Sequence, residues 1–494
     1  MSQFPVDCLD EIFEYLNDDR STLHSCILVN RLWCGVSVRI FWRNSRNYNI
    51  SNLKTLISCL PNKSKEILSN NGIIILTSIT NFPAFNYASF CKVLSIKRVQ
   101  RKTKELLKNQ QIILPRILNN STNIVLQEIC KMFINQISSL KRLDLPQHNY
   151  AMPIPNFAIY PEAKDCLKNL SELYCSSSIS TETFYQLLSQ ICHNISLINI
   201  KNDGYYRISD GLADLISVQK NLKHFTLLQH DTSHYQDYSF LVRKLPNTLI
   251  KLNLISKRNH RSMSLSFIAK FSNLQELKLL FDESDFIDFD KLSDISFPQL
   301  QILKFQHIRP NNEALARFLE NNGKNLKELY VGVSRDSSYS NNLLNSSISK
   351  FCTNLRKFSA GFKNDELEML KIILKSCQYL KSIEIYYGGK LLSEKEVLRE
   401  VVSYENISEI ILNYWWSNAQ SVKLLPEELE SFIVNRANYI PQKLLSFVIV
   451  TDDYKKSLDK NEENIKIIKK YIGLGVIKSF KIKGYDYDGE SNQN

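Results

Sequence analysis

The sequence predicts an α/β fold in which a solenoid of strand–helix repeats follows a short three-helix module at the N-terminus. Two observations support the solenoid. A phrase of the form apolar, two variable residues, apolar, one variable residue, apolar occurs eleven times at intervals of 25 to 30 residues. Stretches with helical periodicity lie between these phrases. The 494-residue chain is therefore long enough for one small module and a long repeat array.

Residues 1–46 predict three short amphipathic helices. The first helix should begin near Pro5, and Ser21 is the expected cap of the second. The apolar stripe of the first helix has steps of three and four residues and comprises Val6, Leu9, Phe13 and Leu16. Three helices of about ten residues cannot bury all the large side chains of this segment among themselves. The module should therefore dock, either on a partner or on the next part of the chain.

The order of residues in this module is specific. The ordered positions are Phe4-Pro5-x-Asp7-x-Leu9-x-x-Ile12-Phe13-x-Tyr15-Leu16, then Leu23-x-x-Cys26-x-Leu28-Val29-Asn30-Arg31-x-Trp33, and then Phe41-Trp42-Arg43. This segment, about a tenth of the chain, resembles an F-box, the module that binds the Skp1 adaptor of cullin-based ubiquitin ligases. The usual Leu-Pro-x-Glu opening of the family is replaced by Phe-Pro-Val-Asp. The resemblance implies that Skp1 contacts Pro5, Leu9, Ile12, Phe13, Leu16, Leu28, Val29 and Trp33.

The repeated phrase begins at Leu140, Leu170, Ile195, Leu222, Leu249, Leu274, Leu300, Leu326, Leu355, Leu380 and Ile407, and Asn directly precedes it in seven repeats. Alternating apolar residues supply a short strand whose buried positions stack on those of the neighbouring repeats. One strand and one helix at a period of about 26 residues resemble the leucine-rich repeat. Phrases such as Cys192-His-Asn-Ile195 resemble the cysteine-bearing subclass found in F-box proteins. The resemblance implies a horseshoe, and we expect an irregular one because the Asn or Cys that usually follows the strand is missing.

These patterns divide the chain into five segments. Residues 1–46 form the F-box-like module, and residues 47–139 form a basic helical linker or N-terminal cap of the array. The regular repeats occupy 140–413, and 414–483 are expected to hold degenerate terminal repeats with phrases at Leu429, Leu444 and Ile477. Residues 484–494 are expected to be a disordered tail.

The variable positions beside the buried strand residues of a leucine-rich solenoid face its concave side, where a partner would bind. The expected substrate-binding residues are Tyr174, Leu228, Ile255, Lys278, Leu280, Lys304, Tyr330, Tyr386 and Trp415. Large aromatic residues dominate the energetics of many interfaces. Two alternatives remain open: the three aliphatic residues pack under a loop, and the tryptophans at 415 and 416 belong to the core of the last repeats.

The net charge of +12 raises the question of nucleic-acid binding. Much of the excess lies in residues 97–108, where Lys and Arg alternate with polar and apolar residues in a helical pattern. We interpret this stretch as a solvated helix face, since no RNA-binding motif or zinc finger accompanies it. Nucleic acid is therefore an unlikely partner.

The sequence contains no motif that indicates catalysis, a cofactor or a metal. GxSxG, HExxH, P-loop and GxGxxG patterns are all absent, and His230 and His234 lack a third ligand. The eleven cysteines include no CxxC pair and do not form a dense paired framework. No signal peptide or membrane-spanning stretch is recognisable. We therefore expect a non-catalytic protein without cofactor or membrane partner, located in the cytoplasm, the nucleus or both.

The two resemblances together imply a substrate-recognition subunit of a Skp1–cullin–F-box (SCF) ubiquitin ligase. The module would bind Skp1 and through it a cullin-RING ligase. The repeat face would hold a protein substrate for ubiquitin-dependent degradation. The main alternative is a leucine-rich interaction scaffold with a helical cap, outside any ligase. A less favoured alternative is an RNA-associated factor that uses the basic stretch.

Overall fold

The computed structural model describes residues 5–75, 83–110, 115–146, 155–177, 182–202, 209–229, 238–256, 264–281, 286–305, 308–332, 342–387, 391–414, 424–440, 443–451 and 457–484. The chain forms two compact units, Met1–Thr248 and Leu249–Asn494. In each unit, parallel strands alternate with helices along the chain. Within the described ranges, none of the helices combines the length and apolarity needed to span a bilayer.

The first unit contains parallel strands that lie side by side in sequence order. They are β1 (Val93–Ser95), β2 (Arg142–Asp144), β3 (Glu172–Ser176), β4 (Leu197–Asn202) and β5 (His224–Gln229). Leu143 of β2, Leu173 of β3 and Ile198 of β4 lie in register and are completely buried. Parallel strands joined by helices need such apolar residues on the covered face of the sheet.

The helices of the first unit precede the array and then alternate with its strands. They are α1 (Val6–Glu14), α2 (Arg20–Ile27), α3 (Arg31–Phe41), α4 (Ile50–Ser58), α5 (Asn62–Asn70), α6 (Ile96–Gln110), α7 (Pro115–Gln136), α8 (Ala163–Leu167), α9 (Glu182–Ile191), α10 (Asp210–Ser217) and α11 (Ser239–Arg243). Helices α2 and α3 pack against each other, as do α6 and α7, and α9 and α10.

The second unit repeats this organisation. Its strands are β6 (Lys251–Ser256), β7 (Glu276–Phe281), β8 (Ile302–Phe305), β9 (Glu328–Tyr330), β10 (Lys357–Ala360), β11 (Ser382–Tyr386), β12 (Glu409–Asn413), β13 (Leu445–Val450) and β14 (Ile477–Lys483). Each strand from β6 onward pairs in parallel with the next. The helices are α12 (Asp290–Ser293), α13 (Asn312–Asn322), α14 (Asn342–Phe351), α15 (Leu367–Ser376), α16 (Glu394–Val401), α17 (Pro426–Tyr439) and α18 (Glu462–Gly473).

The predicted phrase sets the position of the strands. Its first residue, from Leu140 to Ile407, is at most 2% exposed in all eleven repeats. A strand begins two residues after each of these positions. The predicted fold class, a strand–helix solenoid of the leucine-rich-repeat type, is therefore confirmed.

The asparagine before the phrase links successive repeats. The side-chain amide nitrogen of Asn325 donates to the carbonyl oxygen of Pro298 at 3.0 Å, and that of Asn354 donates to the carbonyl oxygen of Lys324 at 2.9 Å. A donor that bonds the backbone one repeat earlier satisfies a carbonyl in the turn. This contact explains why asparagine occurs so often at this position.

Three local predictions differ from the structure. Leu429-x-x-Phe432-x-Val434 lies in α17 and forms no strand, because Pro426 and the acidic residues after it start a helix there. Strand β1, inside the segment expected to be helical, was not predicted. Helix α2 is capped by Asp19 and not by Ser21, since Asp19 accepts a hydrogen bond from the backbone N–H of Thr22.

Candidate interaction surfaces

The N-terminal module has its own hydrophobic core. Six buried residues form it: Leu9, Phe13, Leu23, Cys26, Val36 and Ile40. They come from all three helices α1–α3.

The N-terminal ends of α2 and α3 are fixed by side-chain caps. Asp19 caps α2, and Asn30 caps α3, where its side chain accepts a hydrogen bond from the N–H of Trp33 at 2.9 Å. Hydrogen bonds from Thr22 and Ser21 lower the pKa of the Asp19 carboxyl to about 2. The cap therefore stays ionised at neutral pH.

Two ion pairs join α1 to α3 on the surface of the module. The guanidinium of Arg39 lies 2.9 Å from a carboxylate oxygen of Asp10, and that of Arg43 forms a two-pronged contact with Glu14. Hydrogen bonding to Arg43 lowers the pKa of the Glu14 carboxyl. Both pairs are partly exposed, so each contributes no more than about 1 kcal/mol. They orient the helices more than they stabilise them.

The structure divides the residues expected to contact Skp1 into two groups. Leu9 and Phe13 are each 2% exposed and belong to the core of the module. Leu16 and Trp33 are half-buried and pack against that core. These residues therefore hold the helices together, and the buried ones offer no surface to an adaptor in this conformation.

The other expected adaptor residues are exposed. Pro5 and Ile12 lie at the start and on the outer side of α1, while Leu28 and Val29 lie in the turn between α2 and α3. Leu28 is 74% exposed and Val29 is 56% exposed. Tyr15, at 91% exposure, was not among the expected contacts. Tyr15 directly follows the last residue of α1 and precedes Leu16 of the apolar stripe, and this position is the signal that could have identified it.

The module also packs on the segment that follows it. The ring centroids of Trp42 and Tyr87 are 4.6 Å apart, and the guanidinium of Arg20 donates to the carbonyl oxygen of Asn47. The backbone N–H of Ser95, at the end of β1, donates to the hydroxyl oxygen of Ser45 in the module at 2.6 Å. One side of the module is thus fixed to its own chain.

The basic stretch at 97–108 lies in α6. Arg101, Lys104 and Lys108 are exposed, whereas Val99 and Leu106 are buried. The stretch is therefore one polar face of an amphipathic helix, as the sequence indicated.

The face formed by the variable strand positions is polar and aromatic in the first unit. The guanidinium of Arg142 lies over the ring of Tyr174, 3.7 Å from its centroid, and also contacts Asp144 at 2.8 Å. Burial raises the pKa of Tyr174, although the positive charge of Arg142 opposes this shift. Leu228, one of the expected substrate-binding residues, is buried.

In the second unit the expected contact residues again fall into two groups. Ile255, Leu280 and Tyr386 are buried, so they offer no apolar surface to a partner. The strand pattern could not show which flanking positions are covered. Lys278 forms an ion pair with Glu276, and Nζ of Lys304 lies 5.1 Å from the ring centroid of Tyr330. Trp415 lies outside the described residues.

Chemically reactive groups are scarce in the described ranges. There, no group of three His, Cys, Asp or Glu side chains has an arrangement that could hold a metal ion. His230 and His234 lie outside these ranges. All eleven cysteines are unpaired, and burial raises the pKa of thiols such as Cys130 and Cys175 to about 12. Such thiols are protonated at neutral pH and are weak nucleophiles.

Comparisons with known proteins bear on the fold only. No protein-family model matches the chain, and no curated protein matches it. The leucine-rich repeat-containing protein LegL7 from Legionella pneumophila is 13% identical with a TM-score of 0.34, over 62% of this chain and 91% of that one. The internalin InlF from Listeria monocytogenes str. 4b F2365 is 12% identical with a TM-score of 0.32, over 76% and 93%. The assignment of the fold rests on the strand order and register described above.

Proposed function

We propose that this chain is the substrate-recognition subunit of an SCF ubiquitin ligase. Its N-terminal module binds Skp1, and its strand face holds a protein substrate near the ubiquitin-charged enzyme of the ligase. The contribution of the chain is geometric, because holding a substrate lysine at the donor raises its effective concentration. No bond chemistry is assigned to the chain itself.

One observation carries the adaptor assignment. The three-helix module completes its own core with Leu9 and Phe13 and still exposes Ile12, Leu28 and Val29. Several large aliphatic side chains left exposed on so small a module favour docking on another protein. The order of residues that resembles an F-box adds the identity of that protein, Skp1. The exposed residues therefore replace Leu9 and Phe13 as the proposed contacts.

Binding of purified Skp1 to the full-length chain tests this proposal. The Ile12→Asp/Val29→Asp variant places charges on the exposed surface and should weaken binding at least about tenfold, because desolvating an unpaired carboxylate is costly. Ile372→Asp, at an exposed aliphatic residue of α15, is the matched control and should bind as the wild type does. Absence of binding by the wild type, or equal binding by all three proteins, would overturn the proposal.

A second candidate is an interaction scaffold in which the module caps the array without recruiting a ligase. The contacts of Trp42 with Tyr87 and of Ser45 with Ser95 favour it, because they attach the module to the next segment. A chain that binds a protein through its strands but not Skp1 would fit this role.

A further inference from the structure

The strand face of the second unit carries three glutamates around one tyrosine. Glu328 and Tyr330 belong to β9, Glu384 to β11 and Glu409 to β12. Burial raises the pKa of Tyr330, and the negative charges of Glu328, Glu384 and Glu409 add to this shift. The hydroxyl of Tyr330 donates to a carboxylate oxygen of Glu328 at 3.0 Å, and Glu384 lies in the same register row, two strands away.

Within the described ranges, two of these carboxylates have no positively charged partner. Glu328 contacts Nζ of Lys357 at 3.2 Å and accepts a hydrogen bond from Tyr330. Among the described residues, Glu384 accepts a hydrogen bond from the side-chain amide of Asn413 at 2.7 Å, and Glu409 accepts one from the hydroxyl of Ser382 at 2.7 Å. In the described part of the chain, no Lys or Arg forms an ion pair with either.

Buried polar atoms beside these carboxylates also lack partners. Asn413 is 6% exposed, and its Oδ1 accepts no hydrogen bond in the described ranges. Ser359 lies in register between Tyr330 and Glu384, is completely buried, and its Oγ has no partner there. An amide oxygen can only accept, so the partner missing at Asn413 must be a donor. A buried acceptor without a donor costs about 1–3 kcal/mol.

The spacing suits a planar cation with several donors. Glu409 is the register neighbour of Ser382, and Glu384 lies two residues further along β11. Strand spacing and rise place the Cα atoms of the two glutamates about 8 Å apart. A guanidinium has five N–H donors in a rigid fork and can contact two acceptors at once. A single ammonium group has three donors and no such fork.

We propose that Glu384, Glu409 and Asn413, here called the acceptor cluster, bind an arginine side chain presented by a partner protein. Tyr330 and Ser359 flank the site on the neighbouring strands. The inference rests on the proposed function only in treating the strand face as the recognition surface. It gives the substrate a chemical feature, an exposed arginine in a segment that can lie across β9–β12.

A peptide selection followed by a binding measurement tests the proposal. Random peptides displayed against the full-length chain should be enriched in arginine. A fluorescein-labelled peptide from this selection should bind at least about tenfold more tightly than the same peptide with citrulline, which keeps the shape but loses the charge. The Glu384→Gln/Glu409→Gln variant should lose this preference. Glu313→Gln/Glu320→Gln removes the same charge from exposed positions of α13 and should keep it.

Three results would overturn the proposal. They are no enrichment of arginine, equal binding of the arginine and citrulline peptides, or a loss of the arginine preference in the α13 control as large as that in the Glu384→Gln/Glu409→Gln variant. Thermal unfolding verifies that each variant is folded, and Glu409→Gln alone, which removes one half-buried carboxylate, supplies a milder second test. Skp1 binding is measured on the same proteins. If the wild type does not bind Skp1, the ligase assignment is contradicted and the peptide result still stands. If the wild type binds Skp1 but shows no preference for arginine peptides, only the acceptor cluster is contradicted.

Discussion

Phe13 and Trp33 pack edge to face, with ring centroids 5.1 Å apart and ring planes at 72°. This contact joins α1 to α3 in the N-terminal module. Edge-to-face pairs add about 0.5–1.5 kcal/mol beyond the area they bury. The residue before Phe13 in the chain, Ile12, is 47% exposed. These two adjacent residues thus differ in their surroundings, since Phe13 holds the helices together and Ile12 lies on the surface that we propose binds the adaptor.

Substitution of these two neighbours should therefore have different effects on stability. Phe13→Ala leaves a cavity in the core and should lower the free energy of unfolding by about 3–5 kcal/mol. Ile12→Ala should change it by less than about 0.5 kcal/mol, as is usual for surface substitutions. Urea unfolding followed by tryptophan fluorescence measures both. A large loss of stability in Ile12→Ala would show that this side chain belongs to the core.

Two glycines in helices should respond in opposite directions to alanine. A Cβ at Gly211, in α10, would lie 2.7 Å from the carbonyl oxygen of Glu182 and 3.1 Å from the backbone nitrogen of Gln186. Backbone atoms cannot yield easily, so Gly211→Ala should destabilise the chain. A Cβ added at Gly35, inside α3, would have no described atom within 4 Å apart from the backbone of its own helix. Alanine there should therefore stabilise the helix by about 0.5–1 kcal/mol. Thermal unfolding measures both variants, and unfolding temperatures that shift in the same direction relative to the wild type would contradict this expectation.

The buried carboxyl of Glu394 should make stability depend on pH. It accepts hydrogen bonds from the hydroxyl of Tyr414 and from the N–H of Leu424. Burial nevertheless raises its pKa above the ordinary value of 4.5. The folded chain then holds this proton more tightly than the unfolded chain does. Its contribution to stability is therefore present at low pH and is lost as the pH rises from about 4.5 through the raised pKa.

Glu394→Gln removes this titration. As the pH rises across that window, the wild type should lose stability relative to the variant, so the free energy of unfolding of the variant minus that of the wild type should increase. Glu320→Gln, at an exposed position of α13, is the control and should show no such trend. Urea unfolding at several pH values measures the difference. A difference that stays constant with pH would mean that Glu394 titrates normally in the folded chain.

Arg436 should stabilise the second unit through backbone contacts. Its guanidinium is buried and donates to the carbonyl oxygens of Val402 at 2.9 Å and Tyr404 at 2.8 Å, near the end of α16. Arg436→Met would leave these carbonyls without donors and should cost about 1.5–3 kcal/mol, the usual value for hydrogen bonds from a charged group. Arg399→Met, at an exposed position of α16, should cost less than about 0.5 kcal/mol. Equal losses in chemical denaturation would rule out the backbone contacts as the cause.

The sequence was sufficient to predict the repeat register, because the buried first position of the phrase is a local signal repeated at a constant spacing. Leu222 and Leu326, for example, are both completely buried, and the strand begins two residues after each. Strand β1 was missed since a single phrase outside the regular series cannot be distinguished from chance.

The interaction surfaces were less predictable. Ile255 and Leu280 occupy flanking positions of their strands, and periodicity does not indicate whether such positions are covered. The acceptor cluster combines residues of two repeats, and Asn413 donates a hydrogen bond to Glu384, which lies 29 residues earlier in the chain. Whether Oδ1 of Asn413 needs a donor depends on which side-chain atoms already have hydrogen-bond partners in the folded chain. No sequence motif encodes that information.

Hydrogen–deuterium exchange of the full-length chain, with and without purified Skp1, tests the central claim most directly. The account predicts slower exchange on binding in α1, Val6–Glu14, and in the turn at Leu28 and Val29, with no change in β6–β12. Unchanged exchange in the module, or protection confined to the repeat strands, would contradict the assignment of the N-terminal helices as the adaptor-binding module.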